Sequence, residues 1–158
     1  MRVRVAVRSR ARTRRINATG VYHGSKHALG QMVAQAPDAR GLRGRIINVA
    51  SVMGLVASAG GAGAYNASKA AAVNLTRQIA LDYARSRILA NALCPGLIRT
   101  AMTADLDEAA AAAFLQATPW GAWLRAQDVA QSAVFLASDD AVPLTGVALP
   151  VDGGYVAG

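Results

Sequence analysis

The chain has 158 residues, of which 53% are hydrophobic and 16% charged, with a formal net charge of +8. That length suits one soluble globular domain, and no stretch approaches the ~20 apolar residues that a membrane span needs. The single cysteine, Cys94, excludes an internal disulfide and suits a reducing, cytoplasmic setting.

The charge is concentrated at one end. Residues 1–15, MRVRVAVRSRARTRR, hold seven arginines and no acid, whereas the rest of the chain carries ten bases against nine acids. From Asp105 onward there are seven acids and one base, Arg125. The basic stretch lacks the apolar core of a secretory signal. Its Arg, Ser and Thr content loosely resembles a mitochondrial presequence. Charge alone would allow a nucleic-acid arm, but no aromatic interleaves the arginines to stack on bases. The plainest expectation is a basic arm over 1–14, disordered or read out of frame, followed by a single domain over 15–158. No nucleic-acid partner is expected.

In chain order, residues 18–36 are predicted helical, with Val21, Ala28, Leu29, Met32 and Val33 on an apolar stripe. Pro37-Asp38 ends that helix. RIINVAS (45–51) is a short run rich in Ile and Val, as in a strand buried on both faces. A loop of small residues spans 57–63, and a long helix follows over 64–85. ILANALC (88–94) predicts a second buried strand, ended by Pro95-Gly96. Residues 105–116 are predicted helical, with acids at the start that complement the helix dipole. Asp128 is the expected cap of a helix over 129–137, and GVALPV (146–151) predicts a third strand. The alternation of strands and helices argues for an α/β layer structure around a parallel sheet.

Tyr65 and Lys69 stand four apart on the long predicted helix, so a phenol and an ammonium share one face. A cation beside a phenol favours the phenolate, as a general acid–base group for an alcohol or carbonyl requires. Alone, the YxxxK spacing is weak, since helices carry it by chance. Two neighbours strengthen it. Ser51 lies at the C-terminal end of one predicted strand and PGLIRT (95–100) at that of the next, the edge where open α/β sheets place ligands.

With those residues in view, the sequence resembles the short-chain dehydrogenase/reductase (SDR) family. The likeness is carried by Asn17 in RRINATGVYHG, Ser51 in GRIINVAS, YNASK, NALCPGLIRT and the tail DVAQSAVFLASDD…LTGVALPVDGGY. It runs in order from about Arg15 to Gly158. It implies the C-terminal part of a Rossmann-type, doubly wound parallel sheet and an NAD(P)-dependent oxidoreductase interconverting a secondary alcohol and a ketone. In that family Tyr65 would exchange a proton with the substrate oxygen, and Lys69 would assist Tyr65 and bind the nicotinamide ribose. Ser51 would hold the substrate oxygen, and Asn17 would fix a water continuing the relay. Pro95, Gly96, Ile98 and Thr100 would seat the nicotinamide of NAD or NADP. A small-molecule alcohol or ketone is the implied substrate, and a homodimer or homotetramer the implied assembly.

Two departures stand out. Ser51 precedes Tyr65 by fourteen residues, one more than is commonest, with the extra residue expected in the Ser58–Gly63 loop. The family's N-terminal TGxxxGxG turn, its cofactor-selecting residue and its NNAG strand end have no counterpart here. GGAG (60–63) does not immediately follow a strand and reads as loop, not as a phosphate site. The expectation is therefore a truncated chain or a misread upstream frame, which leaves activity of the isolated chain open. The alternative function is a non-catalytic remnant acting at most as a dimerising module. The first remaining strand would then have an unpaired edge, which Val3, Val5 and Val7 of RVRVAVR could cover.

Other signals are weaker. His23 and His27 share a helix face, but no Cys, Asp or Glu accompanies them, so no metal is expected. Cys94 reads as a core residue. Three Asn-X-Thr/Ser sequons, at Asn17, Asn66 and Asn74, are discounted without a secretory signal. Phe114, Trp120 and Trp123 either cover a substrate or pack in the core.

Overall fold

A computed structural model describes residues 7–57 and 62–158. Helix α1 (Val7–Arg14) runs through a π-helical segment, Arg15–Gly20, into α2 (Val21–Ala34). Then come β1 (Gly44–Val49), α3 (Gly63–Tyr83) and β2 (Ile88–Pro95). The remainder is β3 (Ile98–Arg99), α4 (Glu108–Gln116), β4 (Leu124–Arg125), α5 (Ala126–Ala137) and β5 (Ala148–Val151).

The three predicted strands form one parallel sheet in the order β1-β2-β5. Central β2 is buried along Ile88–Cys94, as its unbroken apolar run requires. Successive side chains point to opposite faces. Ile88 and Ala90 pack with Leu29, Ile46 and Ile79, while Ala92 and Cys94 pack with Ala50, Ala72 and Val73. Leu93 faces the other way, against Leu136 and Ala141. The result is three layers: α2 and α3 on one face, the sheet, and α5 on the other. Full burial of a side chain such as Leu93 or Leu136 contributes about 1.5–3 kcal/mol.

Two polar pairs tie this core together. Asn48 donates to the Thr76 hydroxyl at 2.9 Å, and that hydroxyl donates to the Ala72 carbonyl at 2.7 Å. Asn91 donates to the Leu144 carbonyl at 2.9 Å and accepts from the Val147 amide at 3.0 Å, which guides the chain into β5.

The described part of the basic arm, Val7–Arg14, forms a helix that packs along α3. It is continuous with the helix that follows, so its nucleation cost is shared. Three expectations are corrected. Two further strands, β3 and β4, pair as a separate parallel ladder, Ile98 with Leu124 and Arg99 with Arg125. Asp128 is not an N-cap. It lies in the first turn of α5, and its carboxylate accepts from the Arg125 amide at 2.8 Å and the Arg125 guanidinium at 3.0 Å. The helix predicted over 105–116 begins at Glu108, because Asp107 caps it by accepting from the Ala110 amide at 3.1 Å.

Val3, Val5 and the first two residues of GGAG lie outside the described residues, while Val7 and Gly63 open helices. Among the described residues, β1 is an edge strand of the main sheet. No described helix is long and apolar enough to cross a membrane.

Candidate active site

The C-terminal ends of β1, β2 and β5 lie on the same edge of the sheet, because the strands are parallel. Beyond β1, Ala50 continues the ladder by donating to the Leu93 carbonyl at 2.7 Å. Ser51 then caps the short turn Val52–Gly54, its hydroxyl accepting from the Met53 amide at 3.2 Å. The same oxygen lies 3.5 Å from the Pro95 carbonyl, which ties the ends of β1 and β2 together.

Helix α3 brings Tyr65 and Lys69 to this edge. The Lys69 ammonium is 5.7 Å from the centre of the Tyr65 ring and donates to the Val49 carbonyl at 3.1 Å. Burial pushes the Lys69 pKa down, because the charged form loses water; the nearby Cys94 opposes that shift. Cys94 itself is fully buried and its thiol pKa is raised by that burial, as suits a core residue.

Asn17 reaches the site from the π-helical segment, whose wider turn is a common device at functional positions. Its side-chain amide donates to the Ser68 hydroxyl at 3.2 Å, and Ser68 donates to the Tyr65 carbonyl at 2.7 Å. The helix bearing Asn17 is thereby bound to the turn bearing Tyr65.

Asn17, Ser51, Tyr65, Lys69, Pro95, Gly96, Ile98 and Thr100 all line one cleft of about 540 Å³. None of the eight predicted site residues lies elsewhere. Met102, Thr103, Ala126 and Val129 are also part of its wall.

Several supporting residues escaped the sequence reading. Thr103 donates to the Ile98 carbonyl at 2.7 Å and accepts from the Thr100 amide at 3.0 Å, fixing the 98–100 segment. Asp152 accepts from the amides of Gly154 and Val156 at 3.0 and 2.9 Å. It sits so close to Gly96 that a Cβ there would lie 2.9 Å from the Asp152 Cα. Gly54 matters in the same way. A Cβ at Gly54 would stand 2.8 Å from the carbonyl carbon and oxygen of Lys69, which are backbone atoms and cannot swing aside.

Gly54→Ala is therefore expected to destabilise the chain by about 1–3 kcal/mol, the usual cost of overpacking. It should also displace Ser51 from the face of α3. Urea denaturation of the variant beside the parent measures the first effect, and unchanged stability would contradict so close an approach.

The three aromatic side chains have different surroundings. Phe114 stacks on Tyr155 with ring centres 4.1 Å apart, and Trp120 is 68% exposed near the C-terminal turn. Trp123 instead lines a second cleft with Arg99. Among the described residues, no group of three His, Cys, Asp or Glu gathers as a metal site.

Fold and site together define a Rossmann-type α/β protein with its cleft outside the C-terminal ends of parallel strands. Residues 3–156 match the family model described as Enoyl-(Acyl carrier protein) reductase. The chain belongs to the short-chain dehydrogenase/reductase family.

It is 41% identical over 142 residues to Cis-4-hydroxycyclohexanecarboxylate dehydrogenase of Sinomonas cyclohexanicum, covering 90% of this chain and 54% of that protein. It is 39% identical over 138 residues to 3-oxoacyl-[acyl-carrier-protein] reductase FabG of Haemophilus influenzae, covering 87% and 54%. Among solved structures, a gluconate 5-dehydrogenase from Burkholderia cenocepacia in complex with NADP and tartrate superposes with a TM-score of 0.86. Its identity is 33%, over 98% of this chain and 58% of that one. The chain thus spans about half the length of the curated relatives it matches.

Proposed function

We propose that the cleft serves an NAD(P)-dependent oxidoreductase that interconverts a secondary alcohol and a ketone. One observation carries this reading: a tyrosine and a half-buried lysine on one helix face share a cleft with Ser51 and Asn17. The relative acting on cis-4-hydroxycyclohexanecarboxylate and the NADP-bound gluconate dehydrogenase support the substrate and cofactor classes.

Each residue then has a part. Tyr65 passes a proton to or from the substrate oxygen. Ser51 turns its O–H from the Pro95 carbonyl toward that oxygen and holds it beside the phenol. Lys69 stands 5.7 Å from the centre of the Tyr65 ring, and its partial burial leaves the ammonium less screened by water than an exposed lysine. Asn17 anchors the outer end of the proton path by bonding to Ser68 and holding water in the cleft.

The residues present suit a nicotinamide ribose: Lys69 offers N–H donors, Thr100 a hydroxyl, and Pro95-Gly96 a floor without long side chains. When bound, nicotinamide supplies the hydride chemistry that no protein side chain provides. The chain's own contribution is to orient, exclude water and move the proton.

Calorimetric titration of the 158-residue chain with NADH and with NADPH tests the reading directly. Saturable binding of either is expected. No heat with both would overturn the reading for this chain and leave the interaction-module alternative. The same preparation, sedimented, tests the homodimer or homotetramer that goes with it.

A further inference from the structure

A second cleft, of about 570 Å³, adjoins the first and shares Thr100 and Thr103 with it. Its walls include Leu106, Ala111 and Leu115, so most of what it offers a ligand is apolar. Its charged members are Arg99 and Glu108. The Arg99 guanidinium carbon lies 5.3 Å from the centre of the Trp123 ring, within cation–π range. The ladder of β3 with β4 fixes the backbone of Arg99, and the indole holds its planar head in place. Among the described residues Arg40, Arg45 and Arg125 pair with aspartates, whereas Arg99 has no carboxylate within ion-pair distance.

We propose that Arg99, seated on Trp123, determines specificity by receiving the carboxylate of a substrate whose reacting carbon lies at Tyr65. This rests on the oxidoreductase reading above, and it adds the substrate class: a hydroxy or oxo acid with a hydrocarbon body between its two polar ends. A guanidinium matches a carboxylate with two parallel hydrogen bonds. The apolar wall suits the carbon chain. Glu108 also lines this cleft, and its negative charge weakens the pull on any anion, on a doubly charged phosphate more than on a carboxylate.

The test uses Trp123 fluorescence in the full chain carrying Trp120→Phe, with hexanoate and its neutral counterpart hexanamide as probes. Hexanoate is expected to shift the emission saturably, and hexanamide to leave it unchanged at the same concentration. Arg99→Met should weaken hexanoate by roughly tenfold or more, the scale of a charge-assisted hydrogen bond. Arg99→Lys should weaken it less and keep the preference for the acid, and Glu108→Gln should tighten it. Equal responses to acid and amide, or no response to hexanoate, would overturn the proposal. So would an undiminished hexanoate response in a folded Arg99→Met chain, with folding judged by circular dichroism. If the methionine variant fails to fold, the acid–amide comparison in the Trp120→Phe chain decides alone. Because neither probe involves a dinucleotide, a chain that selects hexanoate but binds neither NADH nor NADPH would sink the oxidoreductase reading and leave an acid-binding cleft.

Discussion

Tyr65→Phe is expected to lower turnover by about 10²–10⁴-fold, the range that a positioned acid–base group contributes. The substitution removes one oxygen and keeps the ring over which Lys69 sits. Affinity for NADH or NADPH should therefore stay close to that of the parent, since the floor at Pro95-Gly96 and the lysine are untouched. The measurement is a pair: steady-state rates with a secondary alcohol, and calorimetry with the cofactor. Retained turnover would remove Tyr65 from the proton path. Lost cofactor binding would mean instead that the hydroxyl has a ground-state role in holding the ligand.

Lys69→Met is expected to have opposite effects on function and stability. The variant should lose cofactor affinity and turnover together, because both roles proposed for the ammonium go with it. The free chain, however, should melt at a higher temperature. Burial lowers the Lys69 pKa, so the folded state holds its charge at a cost that methionine does not incur. The Val49 carbonyl that loses its donor belongs to a residue 55% exposed on an edge strand, where water can replace the ammonium.

The pH dependence gives a second readout. Between the lowered folded pKa and the ordinary lysine value, the unfolded chain binds more protons at this residue than the folded one. The parent's stability should therefore gain from Lys69 as pH rises through that window, and the gain should vanish in the methionine variant. A variant less stable than the parent at neutral pH would show that the bond to Val49 outweighs the burial cost.

The sequence revealed the parts of this molecule that depend on local pattern. RIINV and ILANALC were legible as buried strands because a strand covered on both faces needs apolar side chains throughout. Tyr65, Lys69, Ser51 and Pro95 were legible because their residue types fall at strand ends and on one helix face. The pairing of Arg99 with Arg125 was not, since a two-residue ladder has no periodicity to detect. Asp128 misled for a related reason: an acid before an apolar run reads as a cap, and only the fold places Arg125 at that position. The helical state of 7–14 was hidden because the segment has no apolar stripe; its order comes from continuity with the residues that follow and from packing along α3. Gly54 and Thr103 act through close approach and a backbone carbonyl, which no spacing rule signals.

The parallel pairing has a kinetic consequence. Gly44 meets Ile88 and Ala92 meets Ala148 across the sheet, so each strand contact closes a loop tens of residues long. The bonds that assemble the cleft are as distant: Asn17 to Ser68 spans 51 positions, and Ser51 to Pro95 spans 44. Such contacts form late, after the entropy of loop closure has been lost, and high contact order slows folding. No local hairpin can assemble even half of this cleft ahead of the rest. During folding, ligand affinity should therefore appear in one step, together with the sheet, with no earlier phase in which part of the site can bind.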